Sequence, residues 1–206
     1  MRSKRIVAGV FVAIALAAGC ARTAGRATPD VGAPGAPTPG SPDSAPTSAA
    51  VALPARPRVI ELTGTGAPCQ LLTPAQQRQF GMNRFLPEED TGFGHPGCTF
   101  EHDATSPRYG FTVTPKPDLD ARRLLTTEFG RKARVVTAAS FPAVESRPGL
   151  TGQSNISCFI NVDVADGQSL EVQSLLITTK AFTADEMCEK TRQVAEAAMT
   201  TLLSRQ

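Results

Sequence analysis

The spacing of apolar and polar residues changes several times along this chain, and each change marks an element. Residues Cys98–His102 and Tyr109–Thr114 alternate with period two around the turn-prone stretch Asp103–Pro107, which predicts an antiparallel strand pair. Three further strand-like runs follow at Ala133–Ala138, Ser154–Val164 and Ser169–Thr178, the last two joined across Ala165-Asp-Gly-Gln168 as a hairpin. Phe141–Glu145 reads as one more piece, and Pro142, which cannot donate to a ladder, would confine it to an edge or an irregular stretch.

Helical spacing appears in three places. Thr73 suits an N-cap, Pro74 the first helical position and Gln76 the reciprocal position of a capping box, so a short helix begins at Leu72–Gln76 and stops at Gly81. Ala121, Leu124, Leu125, Glu128 and Phe129 recur at helical intervals within Asp118–Phe129, with Asp118 as cap and Gly130 beyond the end. The last helix opens on the capping box Thr183-Ala-Asp-Glu186, with Phe182 placed to staple against Met187. Met187, Cys188, Thr191, Val194, Ala195, Ala198, Met199 and Leu202 form its single face. The expected fold is therefore one α+β domain, an antiparallel sheet packed with a short N-terminal helix, a middle helix and a long C-terminal helix.

Ahead of this domain the pattern is of another kind. Met1-Arg-Ser-Lys-Arg5 is a basic start, and Ile6–Ala18 is an uncharged apolar run of 13 residues. A helix needs about 20 residues to cross the hydrocarbon core, so the run reads as a signal peptide over residues 1–19. Ala17-Ala18-Gly19-Cys20 resembles the lipobox of bacterial lipoproteins, with Ala17 where leucine is usual; the competing reading is an ordinary secretory signal with Cys20 incidental. The lipobox reading predicts acylation of Cys20 and cleavage before it, and the several acyl chains would anchor the protein stably to the extracytoplasmic face of the cell membrane.

Residues 21–57 turn to Ala, Pro, Gly, Ser and Thr, with eight prolines and no aromatic side chain, a composition that cannot bury enough surface to offset its ordering entropy. Cys20–Pro57 is thus expected to be a disordered tether, either a bare spacer or an O-glycosylated one, that would span about 35 Å as a coil. Residues 58–206 are left for the domain. Loss of Arg2, Lys4 and Arg5 with the signal leaves 18 basic against 19 acidic residues, and near-neutrality removes the electrostatic case for nucleic acid.

Candidate chemistry is sparse. Both histidines lie in Gly94-His-Pro-Gly-Cys-Thr-Phe-Glu-His-Asp103, and His95, Cys98, Glu101, His102 and Asp103 are the ligand-type residues of a metal reading, His95 and His102 being its principal candidates. Strand alternation sets Cys98 and His102 on the face opposite Glu101 and Asp103, and a disulfide-bonded Cys98 offers no thiolate. Asp163 with Asp166, or Glu88-Glu89-Asp90, could pair as acid and base, but their polar, turn-like settings predict solvated carboxylates. Arg131-Lys132-Ala133-Arg134 reads as charge complementing the end of the middle helix. No nucleophile elbow and no phosphate-binding glycine pattern occurs, so neither catalytic residues nor a cofactor is expected.

Apart from Cys20 the cysteines are Cys69, Cys98, Cys158 and Cys188, which an exported domain would use as two disulfides with three available pairings. Cys69–Cys98 with Cys158–Cys188 is the favoured pairing, because each then ties the entrance of a helix to a strand. Pro68-Cys69-Gln-Leu-Leu-Thr-Pro74 before a short helix, Cys98-Thr-Phe100 opening a strand, Cys158 in a later strand and Cys188 early in the last helix resemble the actinobacterial lipoproteins grouped as domain of unknown function 3558. Phe100 departs from the tryptophan frequent there. The resemblance implies an envelope lipoprotein with two disulfides and no assigned activity. The leading expectation is a lipid-anchored binding or accessory module for an envelope protein or small ligand; its rivals are a hydrolase or metal-dependent enzyme centred on residues 94–103 and a purely structural surface protein.

Overall fold

The computed structural model describes residues 52–91, 94–126, 132–147, 157–178 and 181–206, all within the compact unit Ser48–Gln206. Seven strands form one antiparallel sheet: β1 (Arg84–Glu88), β2 (Gly97–His102), β3 (Tyr109–Lys116), β4 (Lys132–Ala138), β5 (Phe141–Arg147), β6 (Ser157–Ala165) and β7 (Gln168–Leu176). Their spatial order, β1-β2-β3-β7-β6-β5-β4, is that of two meanders joined along β3 and β7. Two α-helices, α1 (Pro74–Gln79) and α2 (Ala184–Leu203), and two 3-10 turns, Pro68–Gln70 and Ala121–Leu125, complete the described residues. No helix among them is long and apolar enough to cross a membrane.

Period-two alternation gives the sheet two different faces. Cys98, Phe100, Phe111, Val113, Cys158, Ile160, Val162, Leu170, Val172 and Leu176 are buried on the face covered by α2, which lies across β6 and β7 and also reaches β3 and β4. Every residue of the predicted α2 face, from Met187 to Leu202, is buried there. The opposite face is polar yet largely closed: Thr114, Lys116, Asn161, Asp163, Ser169 and Glu171 are all buried, and Lys116 Nζ lies 3.1 Å from Glu171 Oε1.

Both capping boxes form. Gln76 N donates to Thr73 Oγ1 while Thr73 N donates to Gln76 Oε1, and Thr183 and Glu186 make the same exchange at the head of α2. Thr183→Ala should cost about 1 kcal/mol, one lost N-cap, read as a lower urea midpoint with an unchanged slope.

Four features depart from the sequence expectations. The middle helix is only the five-residue 3-10 turn Ala121–Leu125, capped by Asp120, whose side chain accepts from Arg122 N at 2.9 Å, rather than by Asp118. Thr126 is already extended, and Glu128 and Phe129 lie outside the described residues. Ala121 and Leu124 pack on Val144, a contact that a short turn satisfies as well as a helix would.

β5 is interior, not an edge, because Pro142 sits at the hairpin end facing Thr137, outside the pairs Ala143 to Ser146 that β5 makes with β6. The β4–β5 hairpin turns on Ala139 and Ser140, both at positive φ (48° and 70°), a left-handed turn built without glycine. β1 carries no alternating signal, since Arg84, Phe85 and Pro87 are exposed, and as an edge strand it tolerates its proline. Contacts of the folded unit also reach back before Arg58: Leu53 packs beside Val144, and Arg56 enters an ion-pair network.

Candidate functional site

An open concavity lies where α1 ends beside α2. Gly81, at φ 70°, turns the chain from α1 toward β1, and a Cβ there would stand 3.3 Å from His102 Nδ1. The two carbonyls that follow α1 are taken by side chains from the sheet: Tyr109 OH donates to Phe80 O at 3.2 Å, and His102 Nδ1 donates to Gly81 O at 2.6 Å. Burial pushes the Tyr109 hydroxyl above its ordinary pKa, which keeps it a donor. His102 stacks on the Tyr109 ring at 4.9 Å, while Phe111 and Phe182 meet that ring edge-on at 6.0 and 5.4 Å.

Lys190 leans over this cluster, its Nζ 5.0 Å from the Phe182 centroid and 6.0 Å from that of Tyr109. Arg78, Gln79, Lys190 and Gln193 line the walls of an open cavity of about 390 Å³ above Tyr109 and Phe111. A second depression, of about 540 Å³, continues along α2 past Phe182, Asp185, Glu186 and Glu189.

Among the described residues no carboxylate lies within ion-pair distance of Arg78 or Lys190. The acids of the neighbouring depression are each engaged elsewhere: Asp185 with Arg147 at 2.7 Å, Glu186 with the backbone N–H of Thr183, and Glu189 with Arg192. These hydrogen bonds hold the Glu186 and Glu189 carboxyls below their usual range, so both stay charged in place.

The ligand-type residues of Gly94–Asp103 are dispersed. His95 Nε2 bonds to Asp118 Oδ1 at 2.9 Å on the wall of a separate apolar cleft of about 410 Å³, lined by Leu62, Thr63–Gly66 and four prolines, Pro68, Pro96, Pro115 and Pro117. His102 belongs to the α1–α2 groove, and Glu101 and Asp103 face Arg84 and Arg108. Among the described residues the one set of three ligand atoms within metal-binding reach is Glu145, Cys158 and Cys188, and its cysteines are bonded to each other. Cys69 and Cys98 are likewise joined, S–S 2.04 Å. In the same stretch, Gly97 leaves no room for a side chain, since a Cβ would collide with Thr91 Cγ2 and stand 2.9 Å from Thr114 Oγ1.

Two expectations about charged residues are corrected. Asp163 is not solvated: its side chain is 0 % exposed, Arg56 Nη1 lies 2.6 Å from Oδ1 and Arg122 Nη2 3.0 Å from Oδ2. Burial pushes its carboxyl pKa up while the two arginines oppose the shift; Asp166, at the turn, stays 90 % exposed and also meets Arg56. Arg134 does not complement a helix end but sits on β4, donating from Nε and Nη2 to the two oxygens of buried Glu145, which Arg147 also contacts. Glu88, the first residue of the other acidic run, accepts from Thr99 Oγ1. Sequence reasoning missed the groove because α1, β3 and α2 each contribute single residues far apart in the chain; the pairing of an aromatic at 182 with a lysine eight residues later, two helical turns on, was its faint signal.

A family model described as a protein of unknown function (DUF3558) matches residues 15–201. No curated protein and no solved structure matches the chain.

Proposed function

Since the chain belongs to the DUF3558 family of proteins of unknown function, we propose that it is a lipid-anchored binding module of the cell envelope whose ligand seat is the α1–α2 groove. Acyl chains on Cys20 hold it to the extracytoplasmic face of the membrane, and residues 21–51, ahead of the packed Leu53, carry the domain away from that surface. The supporting observation is the groove itself, an open cavity of about 390 Å³ whose aromatic floor is held by hydrogen bonds and whose Arg78 and Lys190 meet no carboxylate within ion-pair distance among the described residues. That volume lies in the range usual for small-molecule sites. The dispersal of His95, His102, Glu101 and Asp103 to different partners favours binding over a hydrolase or metal-dependent enzyme centred on residues 94–103.

Two measurements test the two halves of this reading. Cys20→Ser should move the protein from the detergent phase to the aqueous phase of a cell extract, and equal partitioning of both forms would refute the anchor. Gln193→Trp places an indole in the groove from an exposed helical position. The wild-type protein, purified in detergent, should gain a few degrees of thermal midpoint from a small-molecule extract of the envelope, and the variant none. Equal responses of the two proteins would refute the groove as the ligand seat.

A further inference from the structure

We infer that the α1–α2 groove selects a small, hydroxyl-rich anion, a sugar bearing a phosphate or a carboxylate. The inference rests on the groove being a ligand seat and adds the chemistry of what sits there. Four features converge on it.

Neither Arg78 nor Lys190 is held in an ion pair among the described residues. Lys190 Nζ lies over the Phe182 and Tyr109 rings rather than over a carboxylate, and Arg78, also on the lining, has none within ion-pair distance among the described residues. Of the acids nearest to Lys190 along α2, Glu189 is paired with Arg192, while Glu186, bonded to the neutral Thr183, attracts Lys190 only from beyond ion-pair distance. The carbonyls of Phe80 and Gly81, just past α1, which would otherwise present partial negative charge to the groove, accept from Tyr109 and His102. An anion arriving between Arg78 and Lys190 therefore meets two charge-assisted donors and displaces no internal partner.

The rest of the lining specifies the body that carries the anion. Gln79 and Gln193 offer amide donors and acceptors: among the described residues the Gln79 side chain makes no hydrogen bond, while the amide nitrogen of Gln193 donates to Glu189 and leaves its carbonyl oxygen for a ligand. An apolar body would desolvate these amides without return, whereas ring hydroxyls pair with them. The floor keeps Tyr109 and Phe111 nearly covered, at 8 % and 2 % exposed, so no broad aromatic face is left for a flat apolar ring.

The test uses the protein purified in detergent and reads the acetylation rate of Lys190 by mass spectrometry, with glucose 1-phosphate, glucuronate and glucose as probes. At least one of the two anions should slow Lys190 acetylation about fivefold or more at saturation, with glucose inert at the same concentration. Arg78→Gln should raise the half-protecting concentration about tenfold, the effect of losing one charge-assisted hydrogen bond, and Arg78→Lys should restore part of it. Lys116, buried against Glu171, reports loss of fold instead and should stay unreactive in every variant.

Protection by glucose 1-phosphate without glucuronate assigns the anion to phosphate, and the reverse to carboxylate. Equal protection by glucose would overturn the anion while leaving the groove as a polar seat. Failure of both anions to protect Lys190, or an unchanged midpoint in Arg78→Gln, would overturn the inference even where Gln193→Trp abolishes the response to envelope extract.

Discussion

Replacing Cys158 and Cys188 together by alanine is expected to lower the unfolding free energy by about 3.5 kcal/mol, the chain-entropy value for releasing a loop of the observed length. The bond spans 30 residues and joins the first turns of α2 to the start of β6. Both cysteines are buried, at 0 % and 1 % exposed, so the substitution also removes packed sulfur from the layer between sheet and helix. Beside them Glu145 keeps its bonds to Arg134 and Arg147, none of which passes through a sulfur, so the network should survive. Urea unfolding of the double variant beside the non-reduced wild type measures the difference.

A comparison with Cys69→Ala/Cys98→Ala sharpens this test. The two bonds close loops of 29 and 30 residues, so unfolded-state entropy alone predicts nearly equal losses. The folded state does not treat them alike: α2 buries nine of its residues, whereas the 3-10 turn at Cys69 has no buried residue. Equal losses would support the entropic account. A larger loss at Cys69–Cys98 would mean that this bond holds its turn where packing does not, and losses below about 1 kcal/mol for both would refute it.

Phe100→Ala is the second large effect, an expected loss of about 3 to 5 kcal/mol from a fully buried aromatic side chain. Phe100 lies in β2 opposite Phe85 of β1 and Phe111 of β3, in the core face beneath α2. Neither neighbouring strand can close the void without breaking ladder pairs, so the cavity should persist. Phe100→Leu should cost less, about 1 kcal/mol, because most of the volume is kept. An alanine variant within 1.5 kcal/mol or so of wild type would show that the core collapses there instead. Combined with loss of the Cys158–Cys188 bond, the expected total is comparable with the whole stability of about 5 to 15 kcal/mol typical of a domain, and the triple variant should not fold.

Stretches whose information is local could be read directly. Thr73-Pro74-Gln76 and Thr183–Glu186 cap their helices because a capping box closes within four residues, and the α2 face from Met187 to Leu202 is buried as its spacing requires. The β2–β3 and β6–β7 pairs follow from alternation on either side of a turn. Where two structures satisfy the same local pattern, the sequence could not choose. Leu124 reaches Val144 from a 3-10 turn as well as it would from a helix, and Ala139-Ser140 makes a hairpin turn that glycine would have advertised.

The amino-acid sequence by itself determined the caps, the helical face of α2 and the strands that alternate, because each depends on neighbours a few positions apart. Only the tertiary structure decided that β7 lies between β3 and β6, that β5 is interior despite Pro142, and that Asp163 is sealed between Arg56 and Arg122. It alone brought Arg78, Tyr109 and Lys190 around one cavity. Strand order, burial of charge and the walls of a groove are set by contacts between residues tens of positions apart, and no period along the chain records them.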